Sequence, residues 1–335
     1  MSNNPYFLGL GGKIDPLRDI RNMGIVTAGD VFWVSSASDS DHRDRTDLLG
    51  RSVVKTSLQA AVDVTENDQN DYILVQPPDA NAVFGLGTAL DINKDRVHVL
   101  SLGFKKSKGS YSVTVRDNYG TTPDTEVVNV TGDGVEVGGL RFLGTLGTNA
   151  GGTRSNGVLR LAGLDFWAHD SVFEDSTASW GTPPVVRGIG TAAHDARFDD
   201  CRFVVSSQAV EAAANSAVVI GGDGNKRWEF NDCRLAVNAG STTETLFTPG
   251  TGAKEYTDFN RCVFSLVNGA AFAVTSAIRG STTANNPVRL FDCKTISFTQ
   301  AGTDPAVFKA PVASGTSTAV RDYGIMVGTA ALIPV

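Results

Sequence analysis

Carboxylates recur beside cations at a near-constant interval along this chain. Asp170, Asp200, Asp232 and Asp292 lie about thirty residues apart, and Arg261 takes the place between the last two. Two residues after each stand Val172, Arg202, Arg234, Val263 and Lys294, a partly basic series. Two carboxylates held at different pKa values can act as acid and base, or as acid and nucleophile, in glycoside hydrolysis. Asp200 and Asp232 are the candidate pair on these grounds, with Asp199 or Glu174 and Asp175 as further partners. The competing reading is a solvated ladder, in which like charges on adjacent repeats are relieved by diagonal arginines. Periodicity favours the ladder, because folding alone repeats a column whereas a catalytic site breaks the pattern at one place. No catalytic residue is therefore assigned, and the chain is expected not to be an enzyme.

The four cysteines are the second set with chemical potential. Cys201, Cys233, Cys262 and Cys293 are spaced by 32, 29 and 31 residues, too far apart for paired zinc ligands of the C-x-x-C kind. Stacked on parallel strands, their Cβ vectors would point alike, a poor geometry for disulfides. They are expected to be reduced thiols in a core column. His42, His98, His169 and His194 show no metal-ligand spacing, and no metal or cofactor is expected. Gly9-Leu-Gly-Gly-Lys13 lacks the spacing of a phosphate loop, and Gly221-Gly-Asp-Gly-Asn225 is followed by Lys226 where a calcium-binding repeat needs aspartate. Trp167, Trp180 and Trp228 are candidate platforms for a sugar ring.

The elements that must position these residues are repeats. The frames Phe198-Asp-Asp-Cys201-Arg-Phe203, Phe230-Asn-Asp-Cys233-Arg-Leu235, Phe259-Asn-Arg-Cys262-Val-Phe264 and Leu290-Phe-Asp-Cys293 share one pattern. It continues upstream without cysteine at Ala168 to Phe173, Val137 to Phe142 and Val99 to Phe104. Self-similarity at a fixed period marks a stack in which each unit buries its apolar face against its neighbours. Cys201 and Phe203 share a parity, with charged Asp200 and Arg202 at the alternate positions, the alternation of a half-buried strand. A second apolar run closed by glycine precedes each frame, as in Val128-Asn-Val130-Thr-Gly132 and Val158-Leu-Arg-Leu161-Ala-Gly163. Each period is thus expected to hold a strand, a glycine turn, a second strand and a variable loop. With 36 glycines and no helical periodicity, the fold class is all-β, a parallel solenoid. Its core ladder is Phe198, Phe230, Phe259 and Leu290 beside the four cysteines.

Four segments follow. Residues 1–50 form an arm or anchor, with Pro5, Tyr6, Phe7, Leu8 and Ile14 as its candidate contacts. Residues 51–78 hold a capping helix, with Thr56 or Ser57 as N-cap and Leu58, Ala61 and Val62 on one face, then the strand Asp71 to Val75. Residues 79–310 are the solenoid, and the apolar residues 311–335 cap it or join subunits. A net charge of −7 argues against nucleic acid. The amino end carries no charged-then-apolar signal, and no apolar run approaches a membrane span of about 20 residues.

The order Asp30-Val-Phe-Trp-Val34, loop, Ser57-Leu-Gln-Ala-Ala-Val62, then Asp71-Tyr-Ile-Leu-Val-Gln-Pro77 resembles the entry of right-handed parallel β-helix proteins of the pectate-lyase-like superfamily, especially those of bacteriophage virions. The resemblance spans roughly residues 28–300. It implies a right-handed parallel β-helix, often a homotrimer, assembled in the host cytoplasm into the virion. As a capsid decoration or cement protein it would contact the major capsid protein or another virion protein. As a tailspike it would bind or cleave a host glycan. The chain departs from the enzymatic members, with neither a calcium-binding acidic cluster and its arginine base nor a polygalacturonase-like acidic triplet.

Overall fold

A computed structural model describes residues 29–35, 54–77, 83–102, 113–117, 126–145, 157–176, 185–189, 193–209, 217–221, 227–239, 245–248, 256–268, 278–279, 288–298, 308–309, 320–323 and 326–327. They form a parallel β-solenoid built of three sheets, with 11, 9 and 8 strands. From rung to rung the equivalent strands of each sheet pair in parallel.

One rung illustrates the repeat. Leu159–Leu161 lies in the third sheet, Trp167–His169 in the first and Val172–Asp175 in the second. The period therefore holds three strands, where the alternation predicts two. The frame Phe198 to Phe203, read as one strand, is two: Ala196–Asp199 in the first sheet and Arg202–Ala209 in the second. Asp200 is the corner between them, with φ of 47°. Phe198 and Phe203 have opposite parity, yet both are fully buried, because the corner turns the second strand's inner face back to the core. Their rings meet edge to face, 5.2 Å apart and at 81°.

The repeat frame holds residue by residue. Val99, Val137, Ala168, Phe198, Phe230, Phe259 and Leu290 form one in-register column. Within it Phe198, Phe230 and Phe259 stack at 4.9 and 4.6 Å, within 10° of parallel. A second stack, Phe142, Phe173 and Phe203, runs up the second sheet at 5.5 and 5.7 Å. Strand spacing of about 4.8 Å brings identical rings into dispersion contact on every rung, so one choice of side chain is rewarded repeatedly.

The amino end opens with strands β1 (Val31–Val34), β2 (Val54–Lys55) and β3 (Asp71–Val75). β1 pairs with both β2 and β3, so this part of the expected arm is itself in the first sheet. Helix α1 (Leu58–Val62) follows β2, with Ser57 as N-cap accepting from the Ala60 amide at 3.1 Å. Leu58, Ala61 and Val62 are buried in the main core. Gln59 accepts from the Asp91 amide at 2.8 Å and donates to the Asp91 carbonyl at 3.2 Å, in the end strand of the third sheet. The helix thus closes the core and satisfies an otherwise open strand edge.

At the other end Val320–Tyr323 and Met326–Val327 pair with Val288–Phe291 and Lys294–Phe298, so the stack continues past residue 310. No helix among the described residues is long and apolar enough to cross a membrane. Pro5, Tyr6, Phe7, Leu8 and Ile14, together with His42 and Trp180, lie outside the described residues.

Candidate functional site

The candidate carboxylates fall at a backbone corner. Gly139, Asp170, Asp200, Asp232, Arg261 and Asp292 all have φ between 47° and 71°, immediately after the first-sheet strand of their rung. Left-handed backbone costs an ordinary L-residue about 1–2 kcal/mol, and Gly, Asp and Asn adopt it most readily. Each corner also carries the ladder onward: the amides of Asp200 and Asp232 donate to the Asn231 and Asn260 carbonyls, both at 2.9 Å. Asp232 accepts a forked pair from Arg261, Nε to Oδ1 at 2.8 Å and Nη2 to Oδ2 at 2.6 Å. Those hydrogen bonds hold the Asp232 carboxyl below the usual carboxylate range. The residues expected to share the catalysis are committed as well. Asp199 accepts from Trp167 Nε1 at 2.7 Å and from Asn231 Nδ2 at 2.8 Å. Glu174 accepts from Arg141 Nη2 at 2.7 Å, and Asp175 is buried.

The cysteine column has a local cause that spacing did not reveal. All four thiols are free and buried, one residue past the corner. Each reaches back to the carbonyl two residues earlier: Cys201 to Asp199 at 3.4 Å, Cys233 to Asn231 at 3.3 Å, Cys262 to Asn260 and Cys293 to Phe291 at 3.5 Å. Ser171 does the same one rung earlier, with its hydroxyl 2.9 Å from the His169 carbonyl. The position takes a small side chain with a weak donor, which cysteine supplies while remaining apolar enough for the core. Burial pushes the Cys233 thiol well above its ordinary value, the opposite of an activated nucleophile.

The densest polar constellation lies on the outer face of the first sheet, on residues that motif spacing passed over. It is built on β3 and three further strands, Val97–Ser101, Glu136–Gly138 and Trp167–His169. Glu136 bridges two histidines: His98 Nδ1 is 2.5 Å from Oε2, and His169 Nε2 is 3.0 Å from Oε1. The other ring nitrogen of His169 lies 3.2 Å from Asp170 Oδ2. Tyr72 stacks on His98 at 4.3 Å and 12°. Gly138 makes room for the His169 ring, since a Cβ there would come within 2.4 Å of Cε1. Burial raises the Glu136 pKa, but hydrogen bonds from His169 and His98 outweigh it and bring the carboxyl down to about 2. The bond to Glu136 raises His169 above 6.5 against the opposing effect of burial. Burial, then the Glu136 charge, raises Tyr72. The repeat frame did contain a signal: His98 and Glu136 are 38 residues apart, as are Leu102 and Leu140.

The tryptophans separate. Trp167 is 39% exposed on the outer face, with Arg197 5.9 Å from its ring centre. Trp228 faces the core, buried, with its indole N–H on the Ala193 carbonyl at 3.1 Å, so it offers no sugar platform. It shares the parity of Phe230, which puts it inward on a regular strand. Nearer the amino end the outer face becomes apolar. Val31, Trp33 and Leu74 are buried there, with Val54, Tyr72, Leu100 and Leu102 packed against them.

Chemically, the outer face can hold charge and, among the described residues, presents the indole of Trp167, while the carboxylates of Glu136, Asp199, Asp232 and Asp258 are engaged by cations or amides. Among the described residues no three His, Cys, Asp or Glu side chains converge to hold a metal ion. Compared with known proteins, the chain matches no protein-family model and no curated protein.

Proposed function

We propose that this chain is a non-enzymatic structural protein of a bacteriophage particle, a homotrimeric capsid decoration or cement protein. The virion setting rests on the resemblance of the entry segments to phage β-helix proteins. The non-enzymatic part rests on one observation: the recurring aspartates fill a left-handed backbone corner that repeats from rung to rung. Asp200 and Asp232 sit at left-handed corners, and Asp232 is forked by Arg261. In this reading residues 1–50 anchor the solenoid to the major capsid protein or a neighbouring copy. Its mechanism is mechanical: parallel ladders resist local opening, and contacts across shell subunits stabilise the shell by binding linkage.

The test is copy number per purified particle, by quantitative mass spectrometry against the major shell protein. Hundreds of copies are expected. A few to about twenty would move the protein to the tail, and absence would overturn the virion setting. The exposed Trp167, flanked by Arg197 and Asp199, favours the second reading, a tailspike-like protein that binds or cleaves a host glycan. Release of reducing ends from host polysaccharide would establish that reading in place of the first.

A further inference from the structure

His169 stands between two carboxylates, with each ring nitrogen facing one of them. Nε2 is 3.0 Å from Glu136 and Nδ1 is 3.2 Å from Asp170. A neutral imidazole has one N–H and can donate at only one nitrogen, whereas the imidazolium donates at both. The second oxygen of Glu136 is already engaged by His98 Nδ1. A single carboxylate therefore ties three successive rungs of the first sheet through side chains, in addition to their backbone ladder. The contact is built in: Gly138 lacks the Cβ that would displace the ring, and Ser171, two residues on, holds the His169 carbonyl.

We propose that His98, Glu136 and His169 form a pH-operated clamp, which locks three rungs together when His169 is protonated and loosens them when it is not.

The groups facing this clamp come from every neighbouring strand. They are Tyr72 on the rung before His98, Asp170 at the corner, and Asp199 and Arg197 on the rung after His169. Arg197 pairs with Asp199 at 2.8 Å, so the carboxylates nearest His169 that lack an arginine partner are Glu136 and Asp170. The direction follows by linkage. The pKa of His169 is raised above 6.5 in the fold, so its contribution is complete below about pH 6.5 and lost as pH rises through the folded value. The pKa of Glu136 is lowered from 4.5 to about 2, so its contribution is present above about pH 4.5 and lost as pH falls toward 2. The clamp is complete between those limits, in mildly acidic solution. Release changes neither covalent structure nor the inner phenylalanine stack, so it is a local, reversible loosening.

Hydrogen exchange on the full chain tests this, read as protection of the strands Val97–Ser101, Glu136–Gly138 and Trp167–His169 and corrected for the intrinsic pH dependence of exchange. Protection there should fall as pH rises from about 6 to 9, by about tenfold for each unit separating folded and unfolded His169 pKa values. Strands Arg227–Asn231 and Tyr256–Asn260, on later rungs, should not change. His169→Gln and Gly138→Ala should each abolish the pH-dependent part. Flat protection in the native chain, or the same pH dependence in His169→Gln, would overturn the clamp. Should neither variant fold, titration of the His169 ring in the native chain decides: a pKa above that of a free histidine is expected, and one at or below about 6.5 contradicts the proposal.

Discussion

The outer face of the first sheet changes character along the stack while the central column of its inner face does not. At the amino end the outward positions are Val31, Trp33, Leu74 and Leu100, packed together and largely removed from solvent. From Glu136 onward the equivalent positions are Trp167, Arg197, Glu229, Asp258 and Arg289 in one column, and His169, Asp199, Asn231 and Asn260 in the next. These are joined from rung to rung by charge and amide hydrogen bonds. Inside, the column runs from Val99 to Leu290 without a polar residue. That inner column is held to one requirement, an apolar side chain on every rung, and repeats it. The exterior is free of that requirement, and its two ends differ.

Breaking the interior should have the largest effect. Phe230 is fully buried and stacks on both Phe198 and Phe259, so Phe230→Ala should destabilise by about 3–5 kcal/mol, read by denaturant unfolding. A corner residue comes next. Asp200→Val places a β-branched residue at φ of 47°, and should cost about 1–2 kcal/mol, while Asp200→Asn should be close to neutral. The outer ladder should matter least. Asn231 donates to Asp199 and accepts from Asn260, and Asn231→Ala should cost about 1 kcal/mol by thermal melting. If the outer change proved larger than the inner one, the contrast between faces would be wrong.

The interval between cysteines made the stack legible in the sequence, and the N-cap and apolar face of α1 were legible in the same way. The corner was not, because Cys201, Arg202 and Phe203 alternate as a single strand would. The clue was the opposite parity of Phe198 and Phe203, both apolar in each repeat until Thr295 takes the second place after Leu290. The Glu136 clamp was hidden for another reason. Its members lie on different rungs, and only alignment by the period, not local spacing, brings His98, Glu136 and His169 together. Val31–Val34 read as a strand, but its place within the first sheet depends on pairing with β2 and β3, which alternation does not encode.

The central claim is that the recurring aspartates serve the backbone and not chemistry at a substrate. The double variant Asp200→Gly, Asp232→Gly addresses it most directly, because glycine suits a left-handed corner and removes both carboxylates. On the virion role proposed above, melting temperature, particle attachment and infectivity should be measured together on particles carrying it. The account predicts a folded protein with melting little changed, and attachment and infectivity retained. Loss of infectivity at an unchanged melting temperature would contradict it and assign those carboxylates a role at a substrate.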